Sequence, residues 1–238
     1  MKLAICTGVS SGLGESLAEA LLEKGFHVIG ISRRTPTVKH TNLIHLSMDL
    51  SKNDYDFNKI ESQIDAHQDY EEVWLINCSG TLDPVGKIID LEDRNDLNAA
   101  FHLNAVMPLA LSGWFIKVFK NVERRVIQIS SGAARKAYHG WMTYCATKAA
   151  LKMATEAMAL DYSNDKQIKF FIYEPGVVDT PMQDRVRNID EEVFSNLQRF
   201  KDLKQNGELI APLDSARFMI QIVEKKVENN LVEFRYSI

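Results

Sequence analysis

Short apolar runs recur along the chain, and amphipathic stretches separate them. The runs, which predict strands, cover residues 2–7, 27–32, 42–47, 72–77, 125–130, 168–174 and 231–236. Most are continuously apolar, as is typical of strands that helices cover on both faces. The stretches between them, such as residues 14–25 and 56–68, carry apolar residues at helical spacing. The order predicts an α/β fold, a single doubly wound domain over residues 1–238 with about seven parallel strands and helices on both faces.

One connection, residues 180–210, is longer than the others and is amphipathic and charged. It follows the sixth predicted strand. Long excursions at the carboxyl end of a parallel strand usually cover a ligand, because open α/β sheets bind at that edge. We therefore expect a substrate-covering lid, with two plain surface helices as the alternative.

Composition narrows the choice of partners. The 238 residues are 45% hydrophobic and 25% charged, with a net charge of −4 and no acidic or basic block. Such a chain is typical of a globular protein that binds small molecules, and nothing indicates a nucleic acid or a membrane surface as partner. Cys6, Cys78 and Cys145 fit neither a disulfide framework nor paired zinc ligands, and no cluster has metal-ligand spacing.

The apolar run at the N-terminus is too short for a signal peptide and is not followed by a cleavage site of small residues. No window comes close to the roughly 20 apolar residues that a membrane-spanning helix needs. We therefore expect a cytoplasmic protein with no membrane partner.

A glycine-rich loop follows the first strand in "TGVSSGLGESLAEAL". Glycines allow the chain to turn tightly against a diphosphate, and the positive N-terminal end of the next helix favours that charge. The strand, loop and helix are the context that a nucleotide loop requires, with a structural turn as the alternative. The residues expected to contact a nucleotide here are Gly8, Ser10, Ser11, Gly12, Leu13 and Gly14.

The second strand ends in "GISRR", residues 30–34. Enzymes that use NAD typically carry an acid at this point to bind the ribose hydroxyls, whereas this chain has Ser32 followed by Arg33 and Arg34. Guanidinium groups make charge-assisted hydrogen bonds to a 2′-phosphate. The stretch therefore predicts NADP(H) as cofactor, and two merely solvated arginines are the alternative.

Polar and small residues follow the next strands at the same predicted edge. Asp49 and Leu50 come after the third strand, and Asn77 and Gly80 belong to "NCSG" after the fourth. Carboxyl ends of parallel strands meet at one edge, so we expect these residues to contact the adenine and the inner ribose.

A candidate catalytic group lies in "QISSGAARKAYHGWMTYCATK", residues 128–148. Tyr144 and Lys148 are one helical turn apart and share a helix face. Ser131 comes at the carboxyl end of the fifth strand, from which it can reach the same pocket. The alternative is that the tyrosine and lysine are incidental members of a core helix.

These motifs together resemble the short-chain dehydrogenase/reductase family, whose fold is the Rossmann type. The matching stretches are "TGVSSGLG", Asn77 with Gly80, Asn104 in "HLNAVMP", Ser131, "YCATK" and "PGVVDTPM". Within the family, residues 130–151 are similar to sepiapterin reductases and, more closely, to bacterial benzil reductases that form (S)-benzoin. The second similarity covers nearly the whole chain.

The resemblance implies catalytic roles for four residues. Tyr144 would give a proton to the substrate carbonyl oxygen as hydride arrives, and the Lys148 cation would lower the pKa of that tyrosine and bind the nicotinamide ribose. Ser131 would hold the carbonyl oxygen, and Asn104 would anchor a water molecule that links the lysine to solvent.

The resemblance also implies binding residues. A later segment would hold the carboxamide and the diphosphate, through Pro175, Gly176, Val178 and Thr180. Trp141 and Met182 would line the substrate pocket beside Ser131 and Tyr144, although packing is an equal alternative for these two side chains. The chain departs from the family pattern at "NCSG" and at Ser11, where many NADP users carry a base.

The implied function is an NADPH-dependent carbonyl reductase that acts on a ketone or a 1,2-dicarbonyl. The alternatives are a 3-oxoacyl or hydroxysteroid dehydrogenase and, from another class, a redox-sensing protein that binds NADP without turnover. The family also implies a homo-oligomer, a dimer or tetramer that packs through the helix of "AALKMATEAMAL".

Overall fold

A parallel sheet runs through the centre of the computed structural model, which describes residues 1–52, 56–65, 67–91 and 93–237. Its strands are β1 (Lys2–Thr7), β2 (His27–Ser32), β3 (Leu43–Ser47), β4 (Glu72–Asn77), β5 (Glu123–Ile129), β6 (Ile168–Glu174) and β7 (Leu231–Arg235). Their order is β3-β2-β1-β4-β5-β6-β7, and every neighbouring pair is parallel. The direction of winding reverses between β1 and β4, which is where open α/β sheets form a ligand crevice.

Helices cover both faces of this sheet. They are α1 (Gly12–Glu23), α2 (Asn58–Glu61), α3 (Arg94–Phe101), α4 (Met107–Val118), α5 (Met142–Asp161), α6 (Pro181–Arg187), α7 (Leu197–Gln205) and α8 (Pro212–Val223). Alternate strand residues point to opposite faces. Cys6 accordingly packs in the core under α1 and α8, whereas Ile5 packs in the core under α4 and α5. The predicted doubly wound α/β fold is confirmed.

Local sequence explains where α1 ends. Gly25 adopts a positive φ of 80°, which favours glycine, directly after the last residues of the helix. Its N–H donates to the Leu22 carbonyl and the Phe26 N–H donates to the Leu21 carbonyl, at 3.0 and 3.1 Å. This pair of bonds is the Schellman ending of a helix.

The helix predicted over residues 56–68 is mostly wrong. The structure has a single helical turn, α2, followed by tighter bonds from Gln63 N–H to Ile60 O and from Ile64 N–H to Glu61 O. Ile60 is fully buried and Ile64 packs against the same core, so the helical spacing of apolar residues is satisfied by short turns. Residue 66 lies outside the described residues.

The expectation that no stretch could span a bilayer also needs correction. Among the described residues, the helical stretch Arg94–Val118 is long and apolar enough to span a bilayer, judged by length and composition alone. In the fold, however, 56% of its most apolar window is buried. It runs through α3, a π-helical segment (His102–Val106) and α4. Its apolar side chains, such as Trp114 and Phe115, pack against the sheet. The run is therefore a core helix here, and its composition reflects that packing.

The outer face of α5 carries large exposed apolar side chains. Met153 is 66% exposed and Leu160 is 75% exposed. Both belong to the stretch through which self-association is expected, and that expectation stays a prediction.

Candidate active site

A cavity of about 520 Å³ opens along the carboxyl ends of the central strands. Most of the residues predicted to bind ligands line it. These are Gly8, Ser10, Ser11, Gly12, Leu13, Gly14, Ser32, Arg33, Arg34, Asp49, Leu50, Gly80, Ser131, Trp141, Tyr144, Lys148, Pro175, Gly176, Val178, Thr180 and Met182. Two others, Asn77 and Asn104, lie behind the cavity wall.

The glycine loop between β1 and α1 is shaped by close backbone contacts. Gly8 and Gly12 have positive φ angles of 81° and 59°. A Cβ on Gly14 would stand 2.3 Å from the Gly8 carbonyl oxygen, so only glycine lets the helix start so close to the loop. Thr7 stabilises the other side, because its Oγ1 accepts hydrogen bonds from the Cys78 and Ser79 N–H groups at 2.9 and 3.0 Å.

The first turn of α1 is open toward the cavity. Ser11 occupies the N-cap position but makes no side-chain capping bond to the helix. The first N–H groups of a helix have no intrahelical partner and attract anions. This end of the cavity therefore fits a diphosphate, with the loop backbone close enough to contact it.

Two exposed arginines extend the anion-binding end. Arg33 and Arg34 line the cavity beside Ser11, and the Arg34 guanidinium donates to the Ser11 hydroxyl at 3.4 Å. Ser32 is buried, and its hydroxyl donates to the Arg34 carbonyl at 2.7 Å. The single proton of the Ser32 hydroxyl is therefore used in a hydrogen bond to the backbone two residues further on.

Asp49 and Leu50 form the wall next to this loop. The Asp49 carboxylate accepts hydrogen bonds from the Ser51 N–H and hydroxyl at 3.1 and 2.7 Å. Leu50 is only 3% exposed and packs in the core under α4. Both residues follow β3, as the sequence predicts.

The prediction that Asn77 contacts the nucleotide conflicts with its position. Its side chain is buried away from the cavity, and Nδ2 donates to the Pro108 carbonyl at 3.4 Å. Because strand residues alternate between faces, the last residue of β4 points toward α4, while Gly80 in the following loop reaches the cavity.

Asn104 lies in the π-helical segment between α3 and α4, where it is 1% exposed. Its Oδ1 accepts from the Thr81 N–H and its Nδ2 donates to the Thr81 carbonyl, both at 2.8 Å. Nδ2 also donates to Thr147 Oγ1 at 3.1 Å, and that hydroxyl donates to the Tyr144 carbonyl at 2.9 Å. The side chain therefore ties the loop after β4 to α5, and the predicted water relay stays a prediction.

Ser131, Tyr144 and Lys148 meet at the centre of the cavity. The Ser131 side chain lies within hydrogen-bonding range of the Tyr144 hydroxyl. Lys148 Nζ donates to the Ile129 carbonyl at 2.8 Å and stands 5.8 Å from the centroid of the Tyr144 ring. The structure thus brings together, around one point, three of the four side chains to which the resemblance gives catalytic roles.

Burial controls the protonation of this group. It raises the pKa of Tyr144 to about 12, against the lowering effect of the Ser131 hydrogen bond. It also lowers the pKa of Lys148 to about 8. Burial therefore acts against the expected lowering of the tyrosine pKa by the lysine cation, because removal from water disfavours the charged form of both groups.

Cys78 belongs to the "NCSG" stretch, where the chain departs from the family pattern. Its thiol lines the cavity, and burial raises its pKa to about 12, although the nearby Lys148 acts in the opposite direction. The thiol is therefore protonated at neutral pH and is a poor nucleophile.

An aromatic cluster forms the opposite end of the cavity. Trp141 stacks on Phe194 with ring centroids 4.7 Å apart and planes inclined by 7°, and it meets the Tyr144 ring edge-on at 5.7 Å. Phe200 contacts both Trp141 and Phe194. Trp141 therefore lines the cavity and also packs against other aromatic rings. Lining and packing, the two alternatives for this side chain, occur together.

The two ends of the segment 180–210 lie next to each other. Val178 and Ile210 form a parallel bridge, and a Cβ on Gly176 would stand 2.6 Å from Ile210 Cδ1. Between these ends, α6 and α7 lie against the aromatic cluster. Gly140, with a φ of 74°, allows the Val193 carbonyl to approach so closely that a Cβ would stand 2.4 Å from its oxygen.

Residues that the sequence does not single out complete the wall. Arg185 of α6 forms an ion pair with Asp83 in the loop after β4, with Nε donating at 2.8 Å. Both line the cavity, as do Leu82 and Phe200. The helical spacing of Leu197 and Phe200 could have predicted that Phe200 points inward. No local pattern, however, marks Leu82 and Asp83 in the loop after β4 as cavity residues.

The donor set indicates which groups this site can hold. The glycine loop, the open helix end and the two guanidiniums fit a dinucleotide that carries phosphates. Among residues 1–52, 56–65, 67–91 and 93–237, no group of His, Cys, Asp and Glu could hold a metal ion. Next to the dinucleotide end stand a hydroxyl pair and an ammonium, which can hold and protonate a carbonyl oxygen.

The fold and the site together define a dinucleotide-binding oxidoreductase. A family model described as short chain dehydrogenase matches residues 2–191. The chain belongs to this short-chain dehydrogenase/reductase family, whose members use a nicotinamide cofactor and act on carbonyl or alcohol groups.

Similar proteins include two bacterial enzymes. The chain is 37% identical to a benzil reductase ((S)-benzoin forming) of Bacillus cereus, over 94% of each chain. It is 32% identical to a protein of the same description from Bacillus subtilis, over 98% of this chain and 97% of the relative. The crystal structure of the short chain dehydrogenase/reductase YIR035C from Saccharomyces cerevisiae has the same fold, with a TM-score of 0.84 at 22% identity over 100% of this chain and 97% of that one.

The lowered pKa of Lys148 leads to a stability prediction. The group titrates near 8 in the fold and near its ordinary 10.5 when unfolded, so the unfolded chain binds more protons between these values and stability rises with pH there. From about pH 7.5 to about pH 10, the difference in unfolding free energy between wild type and Lys148→Met should move by about 2 kcal/mol in favour of wild type.

Urea denaturation at the two pH values measures this difference. Lys225→Met, at an exposed position on the surface, is the matched control and should show no such movement. A difference that does not change with pH would contradict the lowered pKa.

Proposed function

We propose that this protein is an NADPH-dependent carbonyl reductase that reduces a ketone or a 1,2-dicarbonyl, with Tyr144 as proton donor. The proposal rests on one observation. Ser131, Tyr144 and Lys148 converge in the same cavity whose other end fits the phosphates of a dinucleotide.

The residues divide the proton chemistry among themselves. The bound cofactor supplies hydride to the carbonyl carbon. The Ser131 and Tyr144 hydroxyls hold the carbonyl oxygen, and the phenol of Tyr144, with a pKa of about 12, is protonated at neutral pH and gives its proton to that oxygen. The Lys148 ammonium then favours the phenolate that remains, because it is the nearby cation.

Charge supports NADPH over NADH. The position after β2 where an acid would bind ribose hydroxyls is Ser32, and two exposed guanidiniums follow it. A 2′-phosphate there would gain charge-assisted hydrogen bonds and meet no carboxylate on that residue.

The aromatic end of the cavity supports a substrate with an apolar or aromatic body. The cavity is lined by Trp141, Tyr138, Met182 and Leu82 as well as by Tyr144. Benzil reductases are the relatives with 32% and 37% identity over nearly the full chain, and their substrate is an aromatic 1,2-dicarbonyl by name. We therefore include benzil-like diketones and sepiapterin-like carbonyls in the substrate class.

The proton donor gives the first test. Tyr144→Phe removes only the hydroxyl, so turnover of benzil with NADPH should fall by at least about 100-fold, the scale of general acid catalysis. The dissociation constant for NADPH, measured by fluorescence, should stay within about threefold, since the phosphate contacts remain. Near-normal activity of this variant with every carbonyl tried would sink the mechanism.

The arginine pair gives a test of cofactor choice. Replacing Arg33 and Arg34 by alanine removes charged hydrogen bonds of about 1.5 to 3 kcal/mol each, so the dissociation constant for NADPH should rise by roughly 10-fold or more. The constant for NADH should change little. Lys39→Ala, an exposed cation beside the same loop, is the control. Equal weakening of both cofactors would argue against phosphate recognition.

We also propose that residues 180–210 cover the substrate. Phe194 stacks on Trp141, so Phe194→Ala loosens the segment at its aromatic contact. The KM for benzil should rise by about 10-fold, and proteolytic cleavage within the segment should become faster. Phe218→Ala truncates an aromatic side chain of α8, on the other side of the sheet, and serves as control. Unchanged KM and cleavage would show that the segment does not act as a cover.

A further inference from the structure

The Ser32 hydroxyl is the centre of a short hydrogen-bond chain. It donates its only proton to the Arg34 carbonyl at 2.7 Å, so its 3.0 Å contact with His45 Nε2 must be one in which the imidazole N–H donates. The same Nε2 lies 3.3 Å from the Ser32 carbonyl oxygen. The arrangement requires an N–H group at Nε2 of His45.

The sheet register explains how the histidine reaches this point. His45 on β3 stands opposite Gly30 on β2. Gly30 has no side chain, and Val9 fills its space so tightly that a Cβ would stand 2.7 Å from a Val9 methyl. Side chains in strands lean along the strand direction, so the imidazole extends past Gly30 to Ser32, two residues further on the same face.

Every backbone carbonyl of the phosphate-recognition loop, residues 32–34, accepts a hydrogen bond, two of them from Ser47 of β3 and from Met48 directly after it. Ser32 O accepts from the Met48 N–H at 3.2 Å, and Arg33 O accepts from the Ser47 hydroxyl at 3.2 Å. Arg34 O accepts from Ser32, whose hydroxyl is held by His45. These hydrogen bonds hold the backbone carbonyls of the loop in place, while Arg33 and Arg34 line the cavity.

We propose that His45 is a positioning residue for cofactor choice: it orients the Ser32 hydroxyl, and through it the Arg34 backbone, so that both guanidiniums can meet a 2′-phosphate. His45 does not itself line the cavity within the described chain, so it acts through Ser32 and not by touching the cofactor. The inference rests on the proposed preference for NADPH.

Binding of two nucleotide fragments tests the idea without turnover. Adenosine 2′,5′-bisphosphate carries the 2′-phosphate, and adenosine 5′-monophosphate lacks it. His45→Phe keeps a flat ring and removes the donor, which is worth about 0.5 to 1.5 kcal/mol. By calorimetry, the preference for the bisphosphate should fall by about 3-fold to 10-fold, while the affinity for the monophosphate should change less than twofold.

Two variants separate positioning from a merely structural effect. His45→Gln places an amide N–H at the same reach and should restore most of the preference. In a Ser32→Ala background, His45→Phe should have no further effect on the preference, because the group through which it acts is gone. His27→Gln, at the exposed start of β2, is the control.

The outcomes distinguish the two claims. If the wild-type chain does not prefer the bisphosphate, the proposed NADPH preference is wrong. If the wild type prefers it and His45→Phe and His45→Gln both keep that preference, only the role of His45 is overturned. Should His45→Phe fail to fold, His45→Gln against His45→Ala supplies the same comparison.

Discussion

The hydrogen bond from the Lys148 ammonium to the Ile129 carbonyl joins the catalytic helix to the end of β5, and the site depends on that contact. It sets the position of α5 relative to Ser131, which follows β5 by two residues. The Asn104 side chain adds a second link, since it holds both the loop after β4 and Thr147 on α5. A shift of α5 would therefore break its bond to β5 and its bond to Asn104 at once, which keeps Ser131, Tyr144 and Lys148 in one arrangement.

This arrangement opposes stability, because it takes a cation and a phenol out of water. Burial pushes the pKa of Lys148 down and that of Tyr144 up, so the fold must supply free energy to keep both groups in place. The packing on both sheet faces provides it. Trp74 and Phe115 are fully buried on opposite sides of the sheet, far from the chemistry. The polar site is thus held by apolar clusters that take no part in the reaction.

Features set by local patterns could be predicted from the sequence. The strands are apolar runs, and the glycine loop and the Tyr144–Lys148 pair depend only on spacing along one element. The predictions that failed depend on contacts between residues that are distant in the chain. Asn77 turns toward the Pro108 carbonyl, 31 residues further along the chain, and the short turn at α2 follows from how Ile60 and Ile64 meet the core.

The pKa of Tyr144 shows the same limit. Spacing places a lysine one turn away, and a nearby cation alone would lower the tyrosine pKa. How deeply both groups are buried depends on α6, α7 and the loop after β4, which no spacing rule brings together. The aromatic cluster is a similar case, since the stack of Phe194 on Trp141 joins two segments separated by the whole of α5 and β6.

The side chains at the two ends of the cavity differ in their exposure to water, and this difference affects how strongly each end can interact with a ligand. Arg33 and Arg34 are exposed, so their attraction for phosphate is screened by salt and depends on how well the loop presents them. Tyr144 is only 8% exposed, so its hydrogen bonds act in a medium where fixed dipoles are stronger. Under the proposed function, orientation of residues 32–34 through Ser32 would compensate for this screening, whereas burial under the aromatic cluster would strengthen the hydrogen bonds at the Tyr144 end. One cavity thus combines an exposed end that carries two guanidinium groups and a buried end that holds Tyr144.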